Sequence, residues 1–538
     1  YFSAGYYGET QSVKAIVFTG HERTYQAWNG VPQSFLDSLP TFNPYNYEDE
    51  VDDYRQTHFQ LHYNKQFNTN TFLNFATHYT KGAGYYEQYV GTENNSILYN
   101  GEYIFTTSNG YAQNNLAFYG LEDSISSLVR RKWLDNDFYG ITFSANHCTK
   151  KMNLILGGAA NTYLGNHFGK VIWSELYSDM DHEYYRNEAT KNDQNIYLKT
   201  DYSITEKLNL FADLQTRSIQ YNFEGLNDDG TAAEQSVNLN FFNPKLGAFY
   251  SLNNNNDFYA SYSVANKEPN RNDYVESSPS SRPKHETVYD TEVGWKFNTK
   301  NISLGINLYH MDYDNQLINT GEINDVGYSV HSNIKESYRK GIEIVYGIKI
   351  TENLNWNANL TLSENKIVSH DEFIETWDSP VTYPVEGYNM QIMGEDTLFQ
   401  KSYKNTDISF SPNIIAKSEI NYKIKNLNTS WIFKHIGKQY IDNSESSDRM
   451  LDAYSINNLL FSYSLKFNNV KDVKISLQVN NLLNNSYSNR AWVYRFISEG
   501  WNPVGSDPYT NADTDGYNMI GYFPQATRNY MLGITLGL

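Results

Sequence analysis

The residue types that could do chemistry in this chain are scattered, and their spacing argues against catalysis. His182-Glu183 and His370-Asp371-Glu372 carry the letters of a metallohydrolase. Neither forms the H-E-x-x-H pattern, in which two imidazoles one helical turn apart hold zinc while the carboxylate takes a proton. No serine stands in a G-x-S-x-G elbow. His147 beside Cys148 is two ligands short of a closed zinc site. Carboxylates gather in Glu48-Asp49-Glu50-Val51-Asp52-Asp53 and in Asp513-Thr514-Asp515-Gly516, whose oxygens could hold a hard cation such as calcium. The second stretch lacks the later Glu of a complete calcium loop, and runs of this kind are more often solvated connections. The chain is therefore read as non-enzymatic, with no catalytic set, no cofactor and no assigned metal.

Aromatic side chains are the richer resource: the chain has 47 Tyr and 28 Phe, counts that favour strands and bilayer interfaces. They cluster as Tyr85, Tyr86 and Tyr89, as Tyr99, Tyr103 and Phe105, and as Trp492, Tyr494, Phe496 and Trp501 around Arg495. Rings give flat, rigid contact area for a ring-bearing or chelate-shaped ligand. The competing reading is a girdle of aromatics at a lipid boundary. The Trp492–Trp501 group departs most from a girdle, because it leads into a long connection and carries Arg490 and Arg495.

The elements that must position these residues are strands. The chain closes on Tyr530-Met531-Leu532-Gly533-Ile534-Thr535-Leu536-Gly537-Leu538, which alternates large apolar with small or polar residues. Side chains of a strand alternate between faces, so one face here is an apolar ridge and the other is small and polar. The same period recurs in Leu208–Leu214, Ile302–Leu308, Leu354–Leu362 and Ile475–Val479. A helix would scatter these apolar positions around its circumference. An apolar ridge on strand after strand needs a cover, and lipid supplies one.

Composition is compatible with that cover. As a soluble protein, 538 residues would make about three or four domains. No linker, charge block or composition break divides the chain. No apolar run approaches the roughly 18 residues of a spanning helix, and a barrel strand needs none because only half of it is apolar. The net charge of −19 argues against nucleic-acid partners, which demand a basic surface. The single cysteine, Cys148, excludes a disulfide framework.

Connections alternate in length. Short turns fall at 9–10, 68–70, 149–151, 205–207, 253–256, 300–301, 351–353 and 425–426, and are rich in Asn, Lys and Thr. Between them lie long tracts, near 26–53, 91–130, 171–182, 226–236, 271–283, 370–402, 443–450 and 491–524. Short turns at one rim and long loops at the other predict a large antiparallel transmembrane β-barrel with its short turns in the periplasm. The count is about 19 strands in a barrel of about 22 when complete. The first segment leads straight into a short turn, so the reading is of a single barrel over 1–538 whose first strands lie upstream.

Three motifs sit on these strands in order. Ser337-Tyr338-Arg339-Lys340-Gly341-Ile342-Glu343-Ile344 places a basic residue and Gly before an apolar-Glu-apolar strand. Asn266-Lys267-Glu268-Pro269-Asn270, followed by Lys284-His285-Glu286-Thr287, gives a Pro-containing loop and a strand ending at Gly294, with His285 at a position usually held by Pro. Val479-Asn480-Asn481-Leu482-Leu483-Asn484-Asn485-Ser486-Tyr487 precedes the carboxyl-terminal strand, which ends on Leu538 where Phe is usual. Together they resemble the barrel of TonB-dependent outer-membrane transporters over nearly the whole length. The resemblance marks Arg339, Gly341, Glu343, Asn480, Asn481 and Leu538 as structural motif positions.

The resemblance implies residence in the outer membrane, with lipid and the inner-membrane TonB complex as partners. It implies an amino-terminal plug, for which no matching sequence is seen here, and active uptake of a scarce small molecule, most readily an iron–siderophore complex. Cobalamin, haem or an oligosaccharide are alternative cargoes, and a passive porin, an adhesin or a secreted all-β enzyme are alternatives of other classes. The long connections are poor in cations and rich in carboxylates, which suits a neutral or weakly charged chelate better than a strongly anionic one. Trp492, Tyr494, Arg495 and Trp501 are the expected ligand contacts, with Tyr85 and Tyr86 as a second set.

Overall fold

Local hydrogen bonds of Thr and Asn set the hairpins. In the computed structural model, Thr149 Oγ1 accepts the N–H of Lys151 and of Met152, at 3.3 and 3.0 Å. Thr205 does the same for Lys207 and Leu208, and Thr299 for Asn301 and Ile302. Asn253 Oδ1 accepts from Asn255 and Asn256, and Asn68 Oδ1 from Asn70. A short polar side chain that bonds backbone two or three residues on imitates a turn and stops the strand. At 425–426 the reversal is made by Lys425, which takes a φ of 48°.

The structure describes residues 1–537 apart from 46, 92–94, 100–101, 107–115, 122–123, 125, 178–179, 276, 278–281, 324–327, 377–380, 386–387, 393–397, 466–471, 499–501 and 506–507. Trp501 and Leu538 thus lie outside the described residues, as do the side chains of Tyr99, Tyr103 and Phe105. Among the described residues the fold is nearly all-β, with 24 strands assigned to a large antiparallel sheet and one short α-helix, Arg271–Val275. Residues divide into two compact units. The first holds 1–28, 43–247 and 263–282, and the second holds 29–42, 248–262 and 283–538.

Within the first unit, strands follow the chain as an antiparallel meander: Gln11–Tyr25, Val51–Asn68, Thr71–Val90, Leu128–Cys148, Met152–Ser174, His182–Ser203 and Leu208–Gly225. Register sorts their side chains. Val13, Tyr63, Phe75, Phe143, Gly158 and Ile196 stand in one row across six strands. The other face carries Phe18, His58, Thr80, Phe138, Tyr163, Lys191 and Tyr221 in a row of seven.

The second unit repeats this segregation. Ile302, Ile348, Trp356, Ile420, Trp431, Leu459, Val479 and Tyr530 align across eight strands. Leu354, Ala358, Leu360 and Leu362 share the face of Trp356, as alternation requires. Asn355, Asn357 and Asn359 lie on the other face, opposite Asn421, Glu419 and Lys417. Trp356 is 37% exposed and Leu362 41% exposed, so this apolar face meets no protein core.

Several tracts expected as loops are strand. The 491–524 tract contains Ser488–Ile497 paired with Gly516–Pro524. The 370–402 tract contains the end of Leu354–Thr376 and the start of Leu398–Asp407. Sequence alternation finds a strand only while one face is apolar. These extensions mix polar, aromatic and aliphatic residues without a clean alternation, yet their backbone groups still pair.

Candidate functional site

The polar face of the first unit lines an open cavity of about 750 Å³. Three successive rungs of the meander build it. One rung supplies Gln60, His78, Asn161 and Asp193, the next His58, Thr80, Phe138, Tyr163, Lys191 and Tyr221, and the third Gln56 and Asn136. Gly82 of the third rung leaves room for a neighbour, since a Cβ there would lie 2.0 Å from the Tyr54 hydroxyl. That hydroxyl donates instead to Asn136 Oδ1 at 2.8 Å.

The lining is tied down by its own hydrogen bonds. His58 Nδ1 meets Thr80 Oγ1 at 2.9 Å and its Nε2 meets Gln56 Oε1 at 3.0 Å. His78 Nε2 lies 3.0 Å from Asn161 Oδ1. Lys191 Nζ donates to Glu268 at 2.6 Å, and Arg217 bridges Asp193 at 2.6 Å and Glu268 at 2.9 Å. Arg271, from the short helix, enters the same lining. Its Nη2 donates to Asn187 Oδ1 at 2.7 Å, and Asn187 stands opposite His167 in register. Burial draws the Arg271 guanidinium down from its usual pKa, though an arginine so placed stays cationic at neutral pH. Aromatic rings, imidazoles and amides around a concave space can hold a ligand by stacking and hydrogen bonds.

The sequence-predicted residues divide between the two units. Tyr85 and Tyr86, adjacent in the 71–90 strand, necessarily face opposite ways. Tyr85 lies on the apolar-row side, 4.7 Å from the Trp133 ring with the Arg131 guanidinium 4.2 Å above it. Tyr86 shares the face of His78 and Thr80, and meets Trp28 edge-on at 5.9 Å. In the second unit Trp492 is 8% exposed and donates its indole N–H to the Asn29 carbonyl. Tyr494 donates its phenol to Glu375. Arg495 is 7% exposed, with Nη1 2.5 Å from Glu372 Oε2 and Nε 3.6 Å from Asp513 Oδ2. Its charge is committed within the protein: burial works against it, but Glu372 holds its pKa above the usual value.

The motif residues have structural partners. Arg339 Nη1 donates to Ser411 Oγ at 3.0 Å, and Glu343 accepts from Asn307. Asn480 Nδ2 donates to Asn529 Oδ1 at 2.9 Å. Asn481, at φ 47°, clamps Asn485 with both ends of its amide and turns the chain between two strand segments. A Cβ on Gly341 would sit 2.5 Å from the Leu362 carbonyl oxygen.

The acidic tract around Val51 is also internally engaged. Asp49 pairs with Arg23 at 2.5 Å and Asp53 with His21 at 2.8 Å. Glu50 is 2% exposed and accepts the Tyr89 N–H at 3.2 Å. The cavity residues escaped sequence reasoning because they come from six strands and a short helix and cluster nowhere in the chain. Their one signal was the polar phase of alternation, as in His58-Phe59-Gln60-Leu61-His62.

Comparison with known proteins fits this architecture. The family described as TonB dependent receptor-like, beta-barrel, matches residues 5–482. The fold is similar to the ferric-catecholate import receptor Fiu of E. coli K12 in its closed form, with a TM-score of 0.61 and 13% identity over 97% of this chain and 71% of that one. It is similar to the siderophore receptor PiuA of Acinetobacter baumannii, with a TM-score of 0.64 and 14% identity over 98% and 73%. It is likewise similar to unliganded ferric citrate transporter FecA, with a TM-score of 0.64 and 13% identity over 98% and 68%. No curated protein matches the chain. The chain belongs to the TonB-dependent receptors, proteins of the outer membrane, of which it carries the β-barrel.

Proposed function

We propose that this receptor imports a scarce metal chelate, an iron–siderophore complex, across the outer membrane, with energy delivered through TonB and no chemistry done on the cargo. The observation that supports this reading is the cavity of about 750 Å³, whose rings, imidazoles and amides suit a chelate-sized ligand. Tyr163 and Tyr221 supply stacking area, and the imidazoles and amides supply orientation. Trp492 and Arg495 are left out of this proposed site, because the Trp492 indole and the Arg495 guanidinium already have partners in the protein.

The test is uptake of radiolabelled ferric chelates, haem and cobalamin by cells that carry the receptor, with and without TonB. A ferric chelate should enter only with TonB, and Tyr163→Ala or Tyr221→Ala should weaken its binding roughly tenfold. Entry of haem, cobalamin or an oligosaccharide in its place, or entry independent of TonB, would overturn the proposal.

A further inference from the structure

Charge bookkeeping around the cavity leaves one cation over. Of the charged groups in the lining, the Lys191 ammonium is spent on Glu268 and the Asp193 carboxylate on Arg217. Arg271 makes no ion pair among the described residues. Among the described residues its side chain hydrogen-bonds through Nη2 to the neutral Asn187, and its Nε is buried without a partner there. The Nε2 of His167, directly opposite Asn187, is buried without a partner too. The Asp228 carboxylate acts on Arg271 but pairs with Lys132; a guanidinium withdrawn from water without an ion pair of its own is costly, and a ligand that brings one anionic oxygen pair removes that cost. Its planar fork matches a carboxylate better than a point charge would.

The surroundings of Arg271 narrow the ligand further. Tyr163, Tyr221 and Phe138 line the same cavity on one register rung. Tyr221 packs with its ring 4.1 Å from Phe223 and meets Tyr274 edge-on at 6.2 Å, so its position is fixed from behind. Phe138 rests 4.7 Å from the His78 ring. Rings held in this way form a preorganised slot for another ring.

We infer that the Arg271 end of the cavity is a subsite for an aromatic monoanion, with an aryl carboxylate on the guanidinium fork and its ring among Tyr163, Tyr221 and Phe138. This rests on reading the cavity as the ligand site. The anion has two sources, a free aryl acid or an aryl-acid arm of the imported chelate, and both present the same chemistry to Arg271.

Equilibrium dialysis of the purified receptor in detergent against salicylate and its neutral isostere salicylamide tests the subsite directly. Salicylate should bind about tenfold or more tightly than salicylamide, the usual worth of a charge-assisted pair. Arg271→Gln should bring salicylate down to the level of salicylamide and leave salicylamide unchanged, and Arg271→Lys should fall between. Equal binding of the two probes by the wild type, or binding of neither, would overturn the inference, and this comparison needs no variant to fold. Salicylate binding unaffected by Arg271→Gln would also overturn it. A drop in ferric-chelate uptake by Arg271→Gln assigns the anion to the chelate, whereas unchanged uptake with lost salicylate binding assigns it to the free acid. If no ferric chelate is imported while salicylate binds through Arg271, the proposed cargo fails and the subsite stands.

Discussion

The indole N–H of Trp492 donates to the carbonyl of Asn29 at 2.8 Å, across 463 positions of chain. Gly521 is in contact with both: a Cβ there would lie 2.1 Å from the Asn29 oxygen and 2.2 Å from Trp492 Nε1. The aromatic residue most suggestive of ligand binding is thus a clasp.

Gly521→Ala should therefore destabilise the protein by about 1–3 kcal/mol, through overpacking against backbone that cannot yield. Trp492→Phe keeps a ring but leaves the Asn29 carbonyl without its donor, at a cost of about 1–3 kcal/mol. Urea unfolding in detergent measures both. A Gly521→Ala variant as stable as the parent would show that the clasp is loose.

Asp513 joins two arginines. It is bound by Arg449 and approached by the Arg495 Nε at 3.6 Å, and both Asp513 and Arg449 are almost fully buried. Removing one member of such a pair leaves a buried charge without compensation, typically at a cost of 3–5 kcal/mol. Asp513→Ala should open the Gly516–Pro524 strand locally, seen as faster amide hydrogen exchange there than in Leu354–Thr376. Uniform exchange rates in wild type and variant would contradict this.

Glu50 makes stability depend on pH. Burial pushes its carboxyl up to about 7, against the opposing pull of the Tyr89 N–H and Arg130, and Glu87 adds to the rise. The folded state then binds a proton that the unfolded chain, titrating near 4.3, has already released. This contribution is full below the unfolded value and is lost as pH rises through the window up to about 7. Glu50→Gln should remove that slope and stabilise the protein at pH 8 relative to wild type by an amount on the order of 3 kcal/mol. Parallel thermal unfolding of both proteins at pH 5 and pH 8 provides the comparison.

Leu360 shares its face with Trp356, and the amides flanking it lie on the other. With that face toward lipid, Leu360→Arg near the midplane should cost about 2–4 kcal/mol. Heat-modifiable migration on gels, with urea midpoints, reports it. Insertion and stability equal to the parent would reverse the assignment of faces.

What the sequence made legible follows from period and locality. Leu354–Leu362 shows its facing because one phase is apolar, and Thr149, Thr205 and Asn253 show their turns because the bonding partners are two or three residues away. The cavity was hidden because His58, Tyr163, Lys191 and Tyr221 meet only through register, which accumulates over six strands and their turns. Arg271 was harder still, since the short helix that carries it has no apolar stripe. The partners of Trp492 were not legible because burial cannot be read from residue type: the contacts with Asn29 and Gly521 join positions far apart in the chain.

The turns carry a consequence for how the chain acquires its form. At 149, 205, 253 and 299 a single side chain closes the reversal with its own neighbours. Each hairpin can therefore find its register before any distant segment arrives, and closing a short loop costs little chain entropy. Strands that pair with their sequence neighbours have low contact order, and such topologies fold fast for their size. An assembly route that zips hairpin onto hairpin would also shield the open strand edges that otherwise recruit other chains. Exchanging Thr for Val at one of these reversals should slow refolding into detergent more than it weakens the finished protein.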